Sequence, residues 1–310
     1  MPRKVKLILN PMADMGRAWR VANDLRPIVS QYGGADWSGT VYPTHAAELA
    51  KQAALDGYDM VVAMGGDGTV HEVINGLMQA PAENRPALGI VPIGSGNDCA
   101  FALGLPNDAP AAMARALSGE PGTMDLGLVV DEFGRKEYFD NSVGIGFNTV
   151  VTLNSHKLPV LRGVVMYLAA VIQTILFNHQ PSKIKMDFDG QITEQDIQMI
   201  SICNGPREGG GFMLTPGAKP DDGILNYIIA RDMSRPAMFK MLAAVLQETH
   251  GKLPQVTLGT CKNVSLSSNV PLYVHTDGEV ITGFGSNVKR ISVQILPDVL
   301  RVVKGAGENK

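Results

Sequence analysis

Two short glycine-rich stretches carry residue types that suit phosphate chemistry. Residues 64–69 read MGGDGT, residues 94–98 read GSGND, and each stretch ends an apolar run. Glycines in such turns allow positive φ angles and let backbone N–H groups approach an anion closely, which makes a phosphate cradle. Two cradles at neighbouring strand ends suggest one polyphosphate ligand, although a tight turn alone would also explain either stretch.

The polar side chains of these turns indicate how phosphate and metal would be held. Asp67 would repel a phosphate, so we expect it to act through Mg²⁺ or to hold a hydrogen-bond donor in place. Ser95 can donate to a phosphate, and Asn97 and Asp98 can order a ligand or a metal. Asn10, at the end of the first apolar run, adds a third polar strand end. Neither GxxxxGK[ST] nor GxGxxG occurs here, which excludes a P-loop and a dinucleotide-binding turn.

Thr69 and Glu72 form a T-x-x-E pattern where a helix should begin. The pattern predicts Thr69 as the N-cap of a helix over residues 70–79, with Glu72 completing a capping box. The exposed N–H groups of that helix would favour the same negatively charged ligand.

The turns lie in a region where strand and helix patterns alternate. Strands are predicted at residues 5–10, within 34–42, at 59–66 and at 87–94; helices are predicted at 17–31, 45–56 and 70–79. This alternation predicts an α/β domain with a largely parallel sheet, whose ligands bind beyond the carboxyl ends of the strands.

The pattern changes after about residue 126. Short alternating or β-branched runs, separated by Gly, Asp, Asn and Pro turns, predict an antiparallel β-sandwich with helices near residues 160–178 and 235–249. We therefore expect a first domain over residues 1–125 and a second over 126–295, with a terminal segment of about 296–306 packing back on the first.

Composition excludes several classes of protein. The 310 residues are 45% hydrophobic and 18% charged, and the formal net charge of −3 gives no field that would hold nucleic acid or an anionic membrane by charge alone. Three scattered cysteines, without a CxxC pair, indicate reduced cytosolic thiols rather than disulfides or zinc. The start MPRKVKLILN has too short an apolar run for a signal peptide, so we interpret it as a strand.

One apolar stretch could mimic a membrane span. It covers residues 158–178, but its uninterrupted part, 163–172, is half of the roughly 20 residues that a spanning helix needs. We expect a buried or interfacial helix there.

Several segments together resemble a known family. GGDGTVHEV, GSGNDCAFALGLP, MDLG, CNGPREGGGFMLTPGAKPDDGILNYII and HTDGE occur in this order, followed by VQILPDVLRVV near the end. The chain resembles the diacylglycerol kinase catalytic family over nearly its whole length, specifically the soluble bacterial lipid kinases related to sphingosine kinases. NAD kinases share only the GGDGT portion and are the alternative.

The resemblance implies ATP-dependent phosphoryl transfer to a lipid hydroxyl, such as that of diacylglycerol, giving phosphatidic acid or an analogue. It also implies a Rossmann-like, NAD kinase-like α/β domain, a β-sandwich domain, and ATP in the cleft between them. The positions that would contact the nucleotide are Asn10, Thr40, Gly65, Gly66, Asp67, Gly68, Thr69, Val70, His71, Ser95 and Asn97.

The resemblance assigns the remaining site residues as well. Asp67, Asp98 and Asp125 match an aspartate network that organises water and Mg²⁺. A structural Mg²⁺ is implied at Lys219, Asp222 and Ile224. Asp277 matches the general base, with Glu279 beside it; strand alternation would put both on one face, although Asp-Gly is also ordinary hairpin chemistry.

Two positions depart from the family pattern. Asp14 stands where NPxSG usually has a glycine, and His71 replaces the usual asparagine of GGDGTxNE, so a titratable ring takes the place of an amide. Glu208, before GGGF, either lines the cleft or pairs on the surface, and the scattered histidines, His275 among them, lack ligand spacing.

The leading hypothesis is a cytosolic lipid kinase that associates peripherally with the inner face of the membrane. The apolar helix over Pro159 to Phe177 would contact acyl chains, the protein would not bind nucleic acid, and a homodimer is left open. NAD kinase and a catalytically silent nucleotide- or lipid-binding regulator are the alternatives, and the lipid that is phosphorylated stays open.

Overall fold

The structure, a computed structural model, describes residues 3–158, 163–178 and 180–306. The helices and strands up to the start of the long fifth strand are β1 (Val5–Leu9), α1 (Ala18–Gln31), β2 (Asp36–Gly39), α2 (His45–Leu55), β3 (Met60–Gly65), α3 (Asp67–Met78), β4 (Ala87–Pro92), α4 (Asp98–Ala102), α5 (Ala109–Ser118) and β5 (Pro121–Asp131). Those that follow are β6 (Lys136–Phe139), β7 (Ser142–Gly146), α6 (Phe147–Ser155), α7 (Gly163–Phe177), β8 (Ser182–Phe188), β9 (Gln191–Cys203), β10 (Leu225–Arg231), α8 (Arg235–Leu246), β11 (Val256–Cys261), β12 (Asn263–Ser268), β13 (Val274–Thr276), β14 (Glu279–Thr282) and β15 (Arg290–Val303).

The contacts divide the chain into two units. The first unit contains residues 1–125 and 298–310, and the second contains residues 126–297. Strands β5 and β15 each contribute residues to both units.

The first unit is an α/β domain with a parallel sheet, as the sequence predicted. Its strand order is β15, β4, β3, β1 and β2, and every pairing is parallel. Helices α1 and α5 pack their small and apolar residues on one face, whereas α2 and α3 pack on each other and contact β1 and β3. The sheet thus has its apolar residues covered, which fits the nearly continuous apolar runs of β3 and β4.

The terminal residues complete this sheet. Val302 in β15 pairs with Leu88 in β4, and Val303 belongs to the core beneath α1 and α5. The first unit is therefore built from two segments that are far apart in the chain.

The second unit is an antiparallel β-sandwich, again as predicted. Strands β14, β13, β7, β9, β8, β12 and β15 follow one another by antiparallel pairing, and β10 joins β9 to β11. Its main core is formed by aliphatic residues of these strands together with Phe139 and Phe188. A second apolar cluster forms where α6, α7 and α8 cover β9 and β10.

Strand β9 changes partners along its length. Its first half pairs with β8 and its second half pairs with β7 and β10. A bulge lies at the change, because Ala230 pairs with Met199 whereas Arg231 pairs with Ile197, which leaves Gln198 as the extra residue.

The apolar stretch forms the shorter helix α7, while residues 159–162 of the predicted helix lie outside the described residues. None of the helices that the described residues form combines the length and hydropathy that a membrane crossing requires.

Candidate active site

Four strand ends of the first unit lie side by side. The Thr40 N–H donates to the Leu9 carbonyl (2.8 Å), and the Asn10 N–H donates to the Met64 carbonyl (2.9 Å). The backbone after β4 is tied to the end of β3 in the same way. Since the strands are parallel, the polar residues that follow β1, β2, β3 and β4 all stand at the carboxyl edge of the sheet.

The two glycine-rich turns touch through their backbones. A Cβ atom on Gly94 would lie 2.4 Å from the Cα atom of Gly66. Side chains at these positions would push the turns apart, so glycine is required for their close approach. Ser95, which follows Gly94, is exposed.

Asp67 joins the two turns. It begins α3, and its carboxylate accepts the N–H groups of Asn97 (2.7 Å) and Asp98 (2.6 Å) at the start of α4. The side chain of Asn97 in turn accepts the Gly94 N–H (3.0 Å). Asp67 thus positions backbone donors, which is one of the two roles that its sequence context suggested.

The predicted capping box is not formed. Helix α3 begins at Asp67 with Gly66 as its N-cap, and Thr69 already lies inside the helix. The Glu72 carboxylate accepts the N–H groups of Thr44 (2.8 Å) and Ala46 (3.1 Å), so it caps α2 instead of its own helix. The sequence has the T-x-x-E spacing, but the Glu72 carboxylate binds the N-terminus of the neighbouring helix α2.

The other residues of the first unit that were predicted to contact a nucleotide differ in burial. The Thr69 hydroxyl accepts a hydrogen bond from the Asn10 amide (3.1 Å) and is buried, as are Val70 and His71. The Asn75 amide nitrogen lies 3.3 Å from Nε2 of His71. Gly68 is half-buried at the surface of the turn.

The predicted aspartates are only partly brought together. Asp98 is buried next to Asp67 through the backbone contact described above. Asp125 is buried too, and its carboxylate accepts the N–H of Asp298 (2.8 Å) at the re-entry of the last strand. Asp14 adopts a left-handed backbone conformation and lies 3.6 Å from the Arg17 guanidinium.

Asp277 occupies a constrained turn of the second unit. Its φ angle is +50°, a conformation that aspartate tolerates better than most residues. Its carboxylate accepts the N–H groups of Asp140 (3.1 Å), Asn141 (3.0 Å) and Ser142 (2.9 Å). Because Asp277 lies between β13 and β14 rather than in a strand, the expected alternation with Glu279 does not apply; Glu279 is exposed.

A buried carboxylate lies next to this turn. Glu208 is 4% exposed, and it accepts hydroxyl hydrogen bonds from Ser142 (3.0 Å) and Ser201 (3.2 Å). The backbone N–H of Ser142 binds Asp277, so a single residue separates the carboxylates of Asp277 and Glu208.

The polar group formed by Asp277, Ser142 and Glu208 also includes His275. Its Nδ1 accepts the Gly278 N–H (3.3 Å), which places the proton of the neutral ring on Nε2, 3.3 Å from the Glu208 carboxylate. Burial lowers the pKa of His275 below its usual value, and the negative charges of Glu208 and Asp277 oppose that shift. The neutral ring therefore supports the turn through Gly278, the residue that follows Asp277.

Glu208 also lines an apolar cavity within the second unit. The cavity has a volume of about 70 Å³, and helices α6, α7 and α8 form most of its wall. Its apolar lining residues are Phe147, Val151, Tyr167, Val171, Ile175, Met199, Phe212, Leu214, Met233, Met238, Met241, Leu242 and Val245. Its polar lining consists of Asn148, Gln198 and Glu208. An apolar concave lining with a few polar groups is typical of small-molecule sites.

The predicted structural metal residues lie in one exposed turn. Asp222 accepts the Ile224 N–H at 3.2 Å, and Lys219 lies at the surface nearby in sequence. A carboxylate together with backbone carbonyls forms an all-oxygen donor set, which is the set that Mg²⁺ takes. The residues present therefore fit the metal that the resemblance implies.

Sequence reasoning did not identify the members of the buried polar group. The sequence allows Glu208 either to line the cleft or to pair on the surface, and His275 lacks the spacing of a ligand. Ser142, Asn148 and Gln198 belong to no motif. The position of His275, two residues before Asp277, was the available clue. The pairing of β13 with β7, which brings the other members together, is a tertiary feature.

Two family models match the two parts of the chain. The model for the diacylglycerol kinase catalytic domain matches residues 4–129, and that for the YegS C-terminal NAD kinase beta sandwich-like domain matches residues 141–304. A Chromohalobacter salexigens protein named "Probable lipid kinase YegS-like" is 35% identical over 234 residues, covering 74% of this chain and 73% of that protein.

More distant relatives span nearly the whole chain. A diacylglycerol kinase from Bacillus subtilis is 27% identical over 283 residues, which cover 89% of this chain and 90% of the relative. A crystal structure of a diacylglycerol kinase from Bacillus anthracis covers 98% of this chain and 97% of its own, with a TM-score of 0.74 and 21% identity. At that identity the likeness concerns the fold.

Proposed function

Because the chain belongs to the diacylglycerol kinase catalytic-domain family and carries a YegS-type C-terminal domain, we propose that it transfers the γ-phosphoryl group of ATP to the hydroxyl of a lipid. Diacylglycerol or a related lipid alcohol is the acceptor, and phosphatidic acid or an analogue is the product. The first unit binds the nucleotide, and the second unit binds the acceptor.

The nucleotide role rests on the carboxyl edge of the first sheet. Gly66 and Gly94 bring two turns into contact, and Asp67 fixes the backbone after the second turn. Phosphoryl transfer depends mainly on positioning and charge neutralisation, so rigid backbone donors at this edge suit the phosphates of ATP. Thr40, Thr69, Ser95 and Asn97 supply side chains at the same edge.

Magnesium enters this proposal at two places. When bound with the nucleotide, Mg²⁺ would neutralise charge on the phosphates, and Asp67, Asp98 and Asp125 would organise it and its water. A structural Mg²⁺ would be held by Asp222 and by the backbone of Lys219 and Ile224.

The apolar cavity is the observation that carries the lipid assignment. Its lining is almost wholly apolar, as an acyl chain requires, and its polar end contains Glu208, which Ser142 links to Asp277. An acceptor whose chain fills the cavity would have its polar end near the one carboxylate that the family pattern assigns as a base.

Asp277 would accept the proton of the attacking hydroxyl. Three backbone N–H groups fix the orientation of its carboxylate, which is what a general base needs when the acceptor is held separately. Glu279, exposed beside it, would assist.

Helix α7 provides a route from a membrane to the cavity. It lines the cavity with Tyr167, Val171 and Ile175, yet it exposes 62% of Val165 and 75% of Phe177. An exposed apolar face beside an apolar pocket suits peripheral contact with a lipid surface, which we propose for the membrane's inner face.

A lipid panel tests the function directly. Purified protein, Mg²⁺ and radiolabelled ATP are incubated with diacylglycerol, monoacylglycerol, a sphingoid base and phosphatidylglycerol in mixed micelles, and with NAD as a competing acceptor. Labelled phospholipid from at least one lipid is expected. Labelled NADP without labelled lipid would establish the NAD kinase alternative, and ATP binding without turnover on any acceptor would indicate a regulator.

A further inference from the structure

The polar end of the cavity contains oxygen acceptors that the protein satisfies only in part. Gln198 and Glu208 both line the cavity, and they are only 3% and 4% exposed. What these oxygens require from a ligand bears on which lipid the proposed kinase accepts, so this inference rests on the proposed function.

Gln198 reaches the cavity because of the bulge in β9. Regular alternation would place it on the face opposite to Met199, but as the extra residue of the bulge it is re-aimed and lines the cavity together with Met199. Within the described residues its Oε1 atom has no hydrogen-bond donor. An unpaired buried acceptor is costly, and such atoms in native proteins usually bind a ligand or an ordered water.

Glu208 presents a second acceptor to the same space. Its carboxylate binds the hydroxyls of Ser142 and Ser201, and a carboxylate can take further donors on its remaining lone pairs. The amide nitrogen of Asn148 already donates to the Ser201 hydroxyl (2.8 Å) and the Ile200 carbonyl (3.3 Å). It therefore does not serve as a donor to a ligand in the cavity.

From this chemistry we infer that the cavity selects an acceptor lipid with a second O–H or N–H donor close to the hydroxyl that is phosphorylated. A monoacylglycerol or a sphingoid base has such a donor. A 1,2-diacylglycerol lacks it, because its remaining polar atoms are ester oxygens, which only accept. Sites built to bind a hydroxyl discriminate strongly against analogues that lack it, since the buried partner is then left unpaired.

Binding without nucleotide tests the inference apart from catalysis. Titration calorimetry compares a short-chain 1-monoacylglycerol with the 2-hydroxyethyl ester of the same fatty acid, which has the same chain and a single hydroxyl, so that only the second donor differs. The monoacylglycerol is expected to bind about tenfold more tightly or better, as one well-made buried hydrogen bond allows. Equal affinities would overturn the inference.

Gln198→Met removes the amide oxygen at nearly constant volume, and it should reduce that preference severalfold. Gln191→Met, at an exposed position of the same strand, is the matched control and should leave the preference unchanged. Thermal unfolding checks that each variant is folded. If Gln198→Met does not fold, the comparison of the two ligands on the unsubstituted protein still decides.

Turnover separates this inference from the proposed function. In micelles, kcat/KM should favour monoacylglycerol over diacylglycerol with the same acyl chain, and Gln198→Met should narrow the difference. A binding preference with no lipid phosphorylated would leave the inference standing and reject the kinase. If the unsubstituted protein and the Gln198→Met variant favoured diacylglycerol equally, the inference would be rejected and the proposed kinase activity would stand.

Discussion

In each unit a single carboxylate fixes the backbone by accepting N–H groups of that unit. Asp67 does so for the turn before α4, and Asp277 does so for the segment before β7. Charge-assisted hydrogen bonds of this kind are stronger than neutral ones and fix geometry. Each carboxylate therefore has a positioning function that can be separated from its chemistry.

Replacing Asp277 with Asn should abolish most activity and also lower the free energy of unfolding, because one carboxylate oxygen that accepts an N–H becomes an amide group that donates. Asn tolerates the left-handed conformation, but its amide cannot accept the hydroxyl proton, so the rate should fall at least about 10²-fold. ATP affinity, measured by calorimetry, should stay nearly unchanged because the proposed nucleotide contacts lie in the first unit.

Asp189→Asn is the matched control. Asp189 has the same φ of +50° and its carboxylate also accepts two N–H groups, those of Lys262 and Asn263, but it lies in an exposed turn. Appreciable residual turnover in the Asp277 variant would assign the base elsewhere.

Asp67→Asn should weaken both stability and nucleotide binding. One carboxylate oxygen that accepts an N–H becomes an amide group that donates, so we expect a loss of about 1.5–3 kcal/mol in the free energy of unfolding. Asp24→Asn, at an exposed position of α1, should change neither. Denaturant unfolding and ATP calorimetry provide the measurements, and unchanged ATP affinity would remove Asp67 from the nucleotide site.

His275 should make stability depend on pH. Its folded-state pKa is lowered by burial despite the opposing charges of Glu208, Asp277 and Glu279, so below the ordinary value near 6.5 the unfolded chain binds more protons. The free energy of unfolding should therefore fall as pH decreases from about 6.5 toward the lowered pKa, by at most about 1.4 kcal/mol per pH unit.

The variant His275→Asn removes this titration and keeps an acceptor for the Gly278 N–H. Between pH 7 and pH 5 its free energy of unfolding should change less than that of the unsubstituted protein. The difference is the contribution of one titrating group. His45→Asn, on a half-buried position of α2 in the other unit, serves as the comparison. Parallel pH profiles for the protein and the His275 variant would exclude the assignment.

At the level of elements, the polar group depends on how closely β7 approaches β13 and α6. A Cβ atom on Gly144 would lie 2.1 Å from Nε2 of His275 and 2.3 Å from the amide nitrogen of Asn148, and both side chains are buried. The strand can bring these groups together only because one of its residues has no side chain.

Gly144→Ala should consequently be destabilising. Overpacking of a buried site typically costs about 1–3 kcal/mol, and activity should fall further because His275 and Asn148 must move. Gly217→Ala is the control, since a Cβ atom added there would lie 4.0 Å from the Oδ1 atom of Asn226. Thermal unfolding and lipid turnover would show the difference; a Gly144 variant as stable as the control would mean that the strands are free to separate.

The elements that the sequence predicted well are those with strong local signals. The apolar runs of β1, β3 and β4, and the glycine turns after β3 and β4, were predicted nearly at their bounds. Helix α6 was missed because its sequence, FNTVVTLNS, is rich in β-branched residues with low helix propensity, and packing overrides that preference. Helix α5 was missed although Asp108 provides an N-cap for Ala111 and a proline follows in the first turn.

The site was predictable to the extent that it follows motifs. Gly66, Asp67 and Asn97 lie where strand ends meet, which parallel topology dictates. The destination of the Glu72 carboxylate depends on where α2 begins, and the bulge at Gln198 depends on the change of partner in β9. Neither is encoded in local spacing.

At the level of the whole molecule, association with a membrane would be apolar rather than electrostatic. The formal net charge is −3, so there is no global attraction to anionic lipids, whereas α7 exposes Val165, Leu176 and Phe177. Binding to neutral phosphatidylcholine vesicles should be measurable and nearly independent of salt.

Phe177→Glu should weaken vesicle binding in a flotation assay by about tenfold or more, because an apolar ring is lost and a charge must be kept in water. Phe133→Glu changes a similarly exposed ring, 71% accessible, in the turn between β5 and β6 and should have little effect. Turnover of a dispersed short-chain lipid should be preserved in both variants. Equal loss of binding in both would argue against α7 as the contact.

The divided first unit has a consequence for how the protein is made. Residues 1–125 leave the ribosome first, yet their sheet lacks the strand that pairs Val302 with Leu88, and the Arg115 guanidinium lacks its partner, the Lys304 carbonyl. Residues 126–297 form one continuous unit and can fold as soon as they emerge, as domains generally do during translation. We therefore expect the first unit to be the last to reach its native state, exposed to chaperones and proteases until β15 has emerged.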